Sequence, residues 1–165
     1  MAKPIQAYIR RLTKKDMPEV YRIERASFEF PWDAEDFADF LRNRRARGMV
    51  AELGKRVVGF AMYDRYRGGS INLFTVAVAP EFRRCGIGSQ MVAVLIGRLT
   101  RRNAVIDMGI RETNLIGQVF LRSQGFAAIA IIQQAYEETD EAAYVMEYPS
   151  PRPIVAEAAC SIPDG

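Results

Sequence analysis

The residues best placed to do chemistry lie in one short turn, Arg83-Arg84-Cys85-Gly86-Ile87-Gly88-Ser89. Before it runs an apolar, β-branched stretch, Phe74-Thr75-Val76-Ala77-Val78. After it, Ile87, Met91, Val94, Leu95 and Leu99 recur at helical spacing. The pattern predicts a buried strand, stopped by Pro80 because proline cannot donate to a sheet ladder, then a basic turn and an amphipathic helix. The first amides of a helix have no intrahelical partner, and the helix dipole puts partial positive charge beside them. Gly86 and Gly88 lack a Cβ, so a ligand can approach the backbone closely. Arg83 and Arg84 add full charges. Together these features predict a site for phosphate groups built mainly from backbone.

Two phosphate motifs do not fit. No Lys-Ser or Lys-Thr follows Gly88, as a P-loop requires, and the position three after Gly88 is Met91 instead of the third glycine of a dinucleotide fingerprint. The spacing Arg-x-x-Gly-x-Gly after Val-Ala-Val-Ala-Pro resembles motif A of the GNAT superfamily of acyl-CoA-dependent N-acyltransferases. Two glycines alone would be explained by a structural turn. The strand before them, the two arginines and the helix after them together favour the phosphate site.

The resemblance implies acetyl-CoA as the bound coenzyme and acetyl donor. It implies that the backbone of Val76, Ala77 and Val78 holds the pantetheine arm and the acetyl carbonyl. The turn from Arg83 through Arg84, Cys85, Gly86, Ile87, Gly88 and Ser89 would hold the pyrophosphate, and Asn114 would reach the pantetheine. In such backbone-dominated roles the side chains of Cys85 and Ile87 would be free to vary. A cysteine at a helix N-terminus can have a lowered pKa, but this position would face phosphates, so Cys85 reads as a spacer and not as a nucleophile.

Histidine is absent from the chain. That excludes Ser-His and Cys-His nucleophile pairs and any His-ligated metal site, and no metal is expected. Proton transfer falls to carboxylates, tyrosines, a cysteine, a terminus or water. Phe30-Pro31-Trp32 is a rigid loop with two large rings, and loops often carry function. It is similar to the segment before the second helix in one GNAT branch, the ribosomal-protein-alanine N-acetyltransferases, which implies an acceptor-binding role on the peptide side of a cleft. The same branch implies a glutamate base on the fifth strand and a tyrosine acid five residues before the phenylalanine of a Gly-Phe pair. Gly109 and Leu121 stand at those positions. The substitutes are Asp107, on the same strand face as Gly109, and Glu112 as bases, with Tyr136 as the acid. Positioning of the amine, with proton loss through ordered water, could supply much of the acceleration.

The surrounding elements read β-α-α-β-β-β-α-β-α-β-β. This is a mixed α/β fold, a largely antiparallel sheet flanked by helices on both sides. It is the GNAT arrangement along residues 5–148. The first strand covers 7–12, and Thr13 with Asp16 forms a capping box for a helix with Val20 and Ile23 inward. Asp33 caps a second helix over 34–44 with Phe37, Phe40 and Leu41 as its stripe. Strands at 49–53 and 57–63 flank Gly54-Lys55, and Gly68-Gly69 makes the next turn. A strand at 104–110 leads through Arg111-Glu112-Thr113-Asn114 into a helix stopped at Gly125. Strands at 127–132 and 142–148 enclose an acidic loop, 137–141, expected to be solvated and mobile and suited to attract a cationic amine. One domain spans 1–148, and 149–165 is a Pro/Ala-rich tail expected to be flexible.

The chain has 165 residues, 49% hydrophobic and 26% charged, which is enough for one core. A net charge of +3 is mild and suggests no nucleic-acid partner. The cluster Arg42, Arg44, Arg45 and Arg47 reads as a solvated helix end. No apolar run is long enough for a membrane span, no secretory h-region is visible, and two cysteines make no disulfide framework, so a cytoplasmic location is expected. The expected function is acetyl-CoA-dependent N-acetylation of a peptide or protein N-terminus. The alternatives are a small-amine acetyltransferase acting on a polyamine or aminoglycoside, and a non-catalytic acetyl-CoA-binding module.

Overall fold

In the computed structural model, which describes residues 3–149, seven strands form one sheet in the order β1-β2-β3-β4-β5-β7-β6. The strands are β1 (Tyr8–Arg11), β2 (Ala46–Leu53), β3 (Arg56–Arg65), β4 (Ile71–Val78), β5 (Ile106–Arg111), β6 (Ala127–Tyr136) and β7 (Glu141–Tyr148). The helices are α1 (Met17–Ser27), α2 (Ala34–Arg42), α3 (Ile87–Gly97) and α4 (Leu115–Ser123). All neighbouring strands are antiparallel except β4 and β5. This is the expected mixed α/β architecture. The tail expected at 149–165 lies outside the described residues beyond Pro149.

Two apolar clusters cover the two faces of the sheet. On one, Ile87, Met91, Val92 and Leu95 of α3 and Leu121 of α4 pack on Met49, Ala61, Leu73 and Ile106. On the other, Val20 and Ile23 of α1 and Phe37 of α2 pack on Val50, Phe60 and Met62. Each fully buried large side chain contributes about 1.5–3 kcal/mol. β3 is buried from Val57 to Asp64 because both clusters use it. Val92 joins Ile87, Met91 and Leu95 as a buried residue of the α3 stripe, and Val94 and Leu99 pack on the same cluster partly buried. Leu41 is 40% exposed, contrary to expectation. The aromatic partners of that end of α2, Trp32 and Phe74, lie on the Phe40 side.

Local signals explain the element ends. Asp33 accepts from the backbone N–H groups of Glu35 and Asp36 at 2.8 and 2.9 Å, satisfying two orphan donors of α2. Asp16 accepts from the Thr13 N–H and hydroxyl at 2.7 and 2.9 Å, although the turn it closes is 3-10 before α1 begins. Gly125 has φ +94°; its N–H donates to Arg122 O and that of Phe126 to Leu121 O, the paired bonds of a Schellman stop.

The feature that shapes the site is in β4. Tyr63 pairs with Leu73 and Met62 with Thr75, so Phe74 is an extra residue opposite β3. Such a bulge bends its strand and increases the local twist. β4 and β5 pair only at Ile71–Ile106 and Asn72–Asp107. Beyond those pairs the two strands separate and leave a split in the middle of the sheet.

Candidate active site

The split exposes backbone. Residues 75–78 of β4 are paired with β3 on one side, and alternate backbone groups point away from β3 towards the open side. Arg83 donates its Nε–H to Val78 O at 2.9 Å and an Nη2–H to Ser27 Oγ at 3.0 Å. Its guanidinium therefore braces the end of β4 against α1 and does not face the turn, which leaves Arg84 as the turn's cationic side chain.

The turn itself is held in an unusual backbone conformation. Arg84 has φ +60° and Gly86 φ +80°. Among the described residues no acceptor meets the amides of residues 84–89, which is the arrangement an anion needs at a helix N-terminus. The two glycines serve different ends. At Gly86 space is ample and the left-handed φ is what favours glycine. At Gly88 a Cβ would lie 3.2 Å from Phe120 Cζ, so its bareness admits α4 against α3 rather than a ligand. Cys85 and Ile87 are buried, 8% and 0% exposed, so neither side chain is free to vary. The Ser89 hydroxyl accepts from Gln124 Nε2 at 3.0 Å and joins α3 to the end of α4.

On the α1–α2 side of the split lies a cleft of about 790 Å³. Phe30, Pro31 and Trp32 all line it, with Phe74, Thr75, Gly109, Asn114 and Tyr136. Trp32 is packed edge-on to Phe37 and close to Phe40, ring centroids 5.3 and 5.6 Å away, so it is anchored by the aromatic cluster. Asn114 accepts from the Gly117 N–H through Oδ1 at 2.9 Å as the N-cap of α4. Tyr136 is half-buried, and burial raises its pKa further than Arg111 lowers it, so its hydroxyl stays protonated at neutral pH.

The two carboxylates expected as bases lie elsewhere. Asp107 does not line the cleft; it faces Glu147 across the β5–β7 pair where β4 and β5 are still joined, and burial with that neighbour raises its pKa. Glu112 Oε1 accepts from the Ala142 N–H at 3.0 Å and ties the loop to β7. Neither is positioned to take a proton in the cleft.

Two residues to which the sequence reading gave no site role occupy it instead. Glu24 of α1 is 4% exposed and lines the cleft. Its signal was a carboxylate at i+4 from Val20, on the apolar stripe of α1, where solvated glutamates do not sit. Arg111 stacks over the Tyr136 ring at 3.8 Å and over Phe30 at 5.0 Å. It also donates to Thr139 Oγ1 at 2.8 Å and pairs with Glu138 and Glu141 at 3.5 and 3.4 Å. The acidic loop is thus tied to Arg111, and its charge is partly neutralised, instead of standing solvated.

The sequence profile of the acetyltransferase (GNAT) family matches residues 17–126, which contain the split, the turn and most of the cleft. The chain belongs to the GNAT family. It is 30% identical over 141 residues to the [ribosomal protein bS18]-alanine N-acetyltransferase of Escherichia coli K12, an alignment covering 84% of this chain and 94% of that one. The crystal structure of the E. coli ribosomal-protein-S18-alanine N-acetyltransferase superposes with TM-score 0.75 at 26% identity, covering 86% and 92% of the two chains. Arabidopsis thaliana Naa50 in complex with a bisubstrate analogue shares the fold, with TM-score 0.70 at 17% identity and 87% and 98% coverage.

This GNAT chain is therefore an acetyltransferase that uses acetyl-CoA as donor. Its residues fit that molecule: unpartnered turn amides and Arg84 suit a diphosphate, and an open strand edge suits the amide-bearing arm. Among the described residues no helix is long and apolar enough to cross a membrane, and no cluster of potential metal ligands occurs.

Proposed function

We propose that this GNAT enzyme acetylates the α-amino group of a peptide or protein N-terminus, in the cytoplasm. The observation that carries the reading is the position of Phe30-Pro31-Trp32, which lines the cleft together with Phe74 and Thr75 of β4 and Gly109 of β5, with the Phe30 ring stacked under Arg111 at 5.0 Å. A backbone of peptide size can lie against rings there while its terminus points towards the open strand edge. The relative at 30% identity, named for acting on the alanine of a ribosomal protein, supports an N-terminal acceptor.

Acetyl-CoA supplies an acetyl group activated as a thioester. For this chain, the backbone groups of Val76 and Val78 point away from β3 and offer hydrogen bonds to the arm and to the carbonyl oxygen, whereas those of Ala77 face Phe60 of β3. Arg84, Cys85, Gly86, Ile87, Gly88 and Ser89 offer backbone amides to the diphosphate, and Asn114 can reach the arm with its Nδ2 while Oδ1 caps α4. Tyr136, kept protonated, is the proton donor for the leaving sulfur.

A small polyamine is the weaker reading, because the acidic loop that would attract it is already paired with Arg111. A thiol-release assay with acetyl-CoA tests the choice, comparing an alanine-initiated peptide, the same peptide with its terminus blocked, and spermidine. Turnover of the free-terminus peptide alone is expected. Turnover of spermidine alone would overturn the peptide reading, and binding without turnover of any amine would favour a non-catalytic module.

A further inference from the structure

The cleft contains one carboxylate with an oxygen that no contact of the fold explains. Glu24 Oε1 accepts the Trp32 N–H at 3.0 Å, but Oε2 is buried without a hydrogen-bond partner among the described residues. A buried charged oxygen left unpaired is costly and is kept only where something compensates it. Among the described residues no cation does so. Across the cleft Arg111 is engaged with Thr139, Glu138, Glu141 and the Tyr136 ring. The charged neighbour on α2 is Asp36, of the same sign, which accepts from the Asp33 N–H.

We infer that Glu24 receives the acceptor's ammonium group and takes its proton, the task left vacant by Gly109 on β5. Gly109 lines the same cleft, and a Cβ built on it meets nothing within 4 Å, so the strand offers neither a carboxylate nor an obstruction there. The inference rests on the N-acetyltransferase reading above but not on the acceptor being a peptide. The acceptor enters as an ammonium ion. One of its protons passes to Glu24 Oε2 and then to water; the C–N bond forms as the C–S bond breaks, and a second nitrogen proton is balanced by protonation of the sulfur. Burial raises the Glu24 pKa, the Trp32 N–H lowers it, and Asp36 raises it, so that the carboxylate is a stronger base than an exposed glutamate. The Trp32 N–H also fixes the carboxylate beside the aromatic loop, which makes acceptor seating and proton removal one geometric unit.

The test compares wild type, E24Q and E24Q/G109E between pH 6 and 9.5, with acetyl-CoA and either the alanine-initiated peptide or spermidine. E24Q is expected to lower kcat at least 30-fold and flatten its rise with pH, while CoA affinity by calorimetry stays within twofold. In calorimetry of the CoA-loaded protein, E24Q should lose the preference for the free over the acetylated terminus. E24Q/G109E should recover at least tenfold over E24Q. E24Q should melt no lower than wild type at pH 8, since it removes a charge that burial disfavours. The inference is overturned by an E24Q kcat within threefold of wild type with an unchanged pH profile, by loss of CoA binding in E24Q, or by a double variant no more active than E24Q. Turnover of spermidine alone removes the peptide reading and leaves Glu24 judged on spermidine; no wild-type turnover of either acceptor overturns both.

Discussion

Asn72 and Asp107 are the last residues at which β4 and β5 face each other, and the cleft residues Phe74, Thr75, Gly109 and Arg111 all lie beyond that pair. Two residues further along β4, Phe74 is the extra residue of the bulge. Its ring leaves the sheet to pack on Phe40, centroids 4.8 Å apart. Deleting Phe74 would restore a regular register with Leu73 and Thr75 still opposite Tyr63 and Met62. The deletion is expected to cost about 1–2 kcal/mol of aromatic packing and to weaken CoA binding at least tenfold, since the split would close. Calorimetry with CoA beside thermal unfolding separates the two effects.

Gly86 holds φ +80° with room for a side chain, so the consequence of G86V is conformational. A β-branched residue in that region is strained by about 1–3 kcal/mol. The turn should relax away from its anion-binding form and lose roughly 10-fold or more in CoA affinity, with a modest fall in melting temperature. Unchanged affinity would show that the amides of the turn are not the phosphate site.

Arg111 links β5, the β6–β7 loop, Tyr136 and Phe30. R111A releases Glu138, Glu141 and the Tyr136 ring at once. The expected result is a rise of about tenfold in KM for the acceptor and a fall in kcat, because the Tyr136 proton donor is released as well, with KM for acetyl-CoA unchanged, because the turn and the β4 edge are untouched. Steady-state kinetics with each substrate varied in turn checks this.

Asp107 lies at the joined end of β4 and β5, outside the cleft. D107N is therefore expected to leave kcat within twofold of wild type. Its raised pKa gives a sign for stability. A carboxylate that binds its proton more tightly when folded destabilises the fold as pH rises through its titration, so D107N should melt slightly higher than wild type at pH 7 and no higher at pH 3.

Asp16 behaves in the opposite sense. Arg10 donates to both of its oxygens at 2.9 and 2.8 Å, and this hydrogen bonding lowers its pKa from 3.8 to about 2. A lowered folded pKa stabilises above the unfolded value and the benefit is lost as pH falls through the folded one. The pair should contribute up to about 2 kcal/mol, reduced by the partial exposure of Arg10, at neutral pH and lose it between about pH 4 and pH 2. D16N should flatten that part of the acid-unfolding curve, measured by circular dichroism.

The sequence alone determined the element order, the caps at Asp33 and Gly125, and the positions of the glycine turn before α3 and of the aromatic loop. Each of these depends on neighbours within a few residues: a periodicity, a capping side chain, a glycine where φ must be positive. Gly109 and Leu121, at the positions where the resemblance implies a glutamate and a tyrosine, could likewise be read directly. Only the tertiary structure decided what stands near them. Asp107 and Glu112 are close to Gly109 along the chain but are drawn to β7 by strand pairing, whereas Glu24, 85 residues before Gly109, is carried into the cleft by the packing of Val20 and Ile23 on β3. The split of β4 from β5 likewise depends on a register count between two strands, and a register is a property of the pair that neither strand's residues state by themselves.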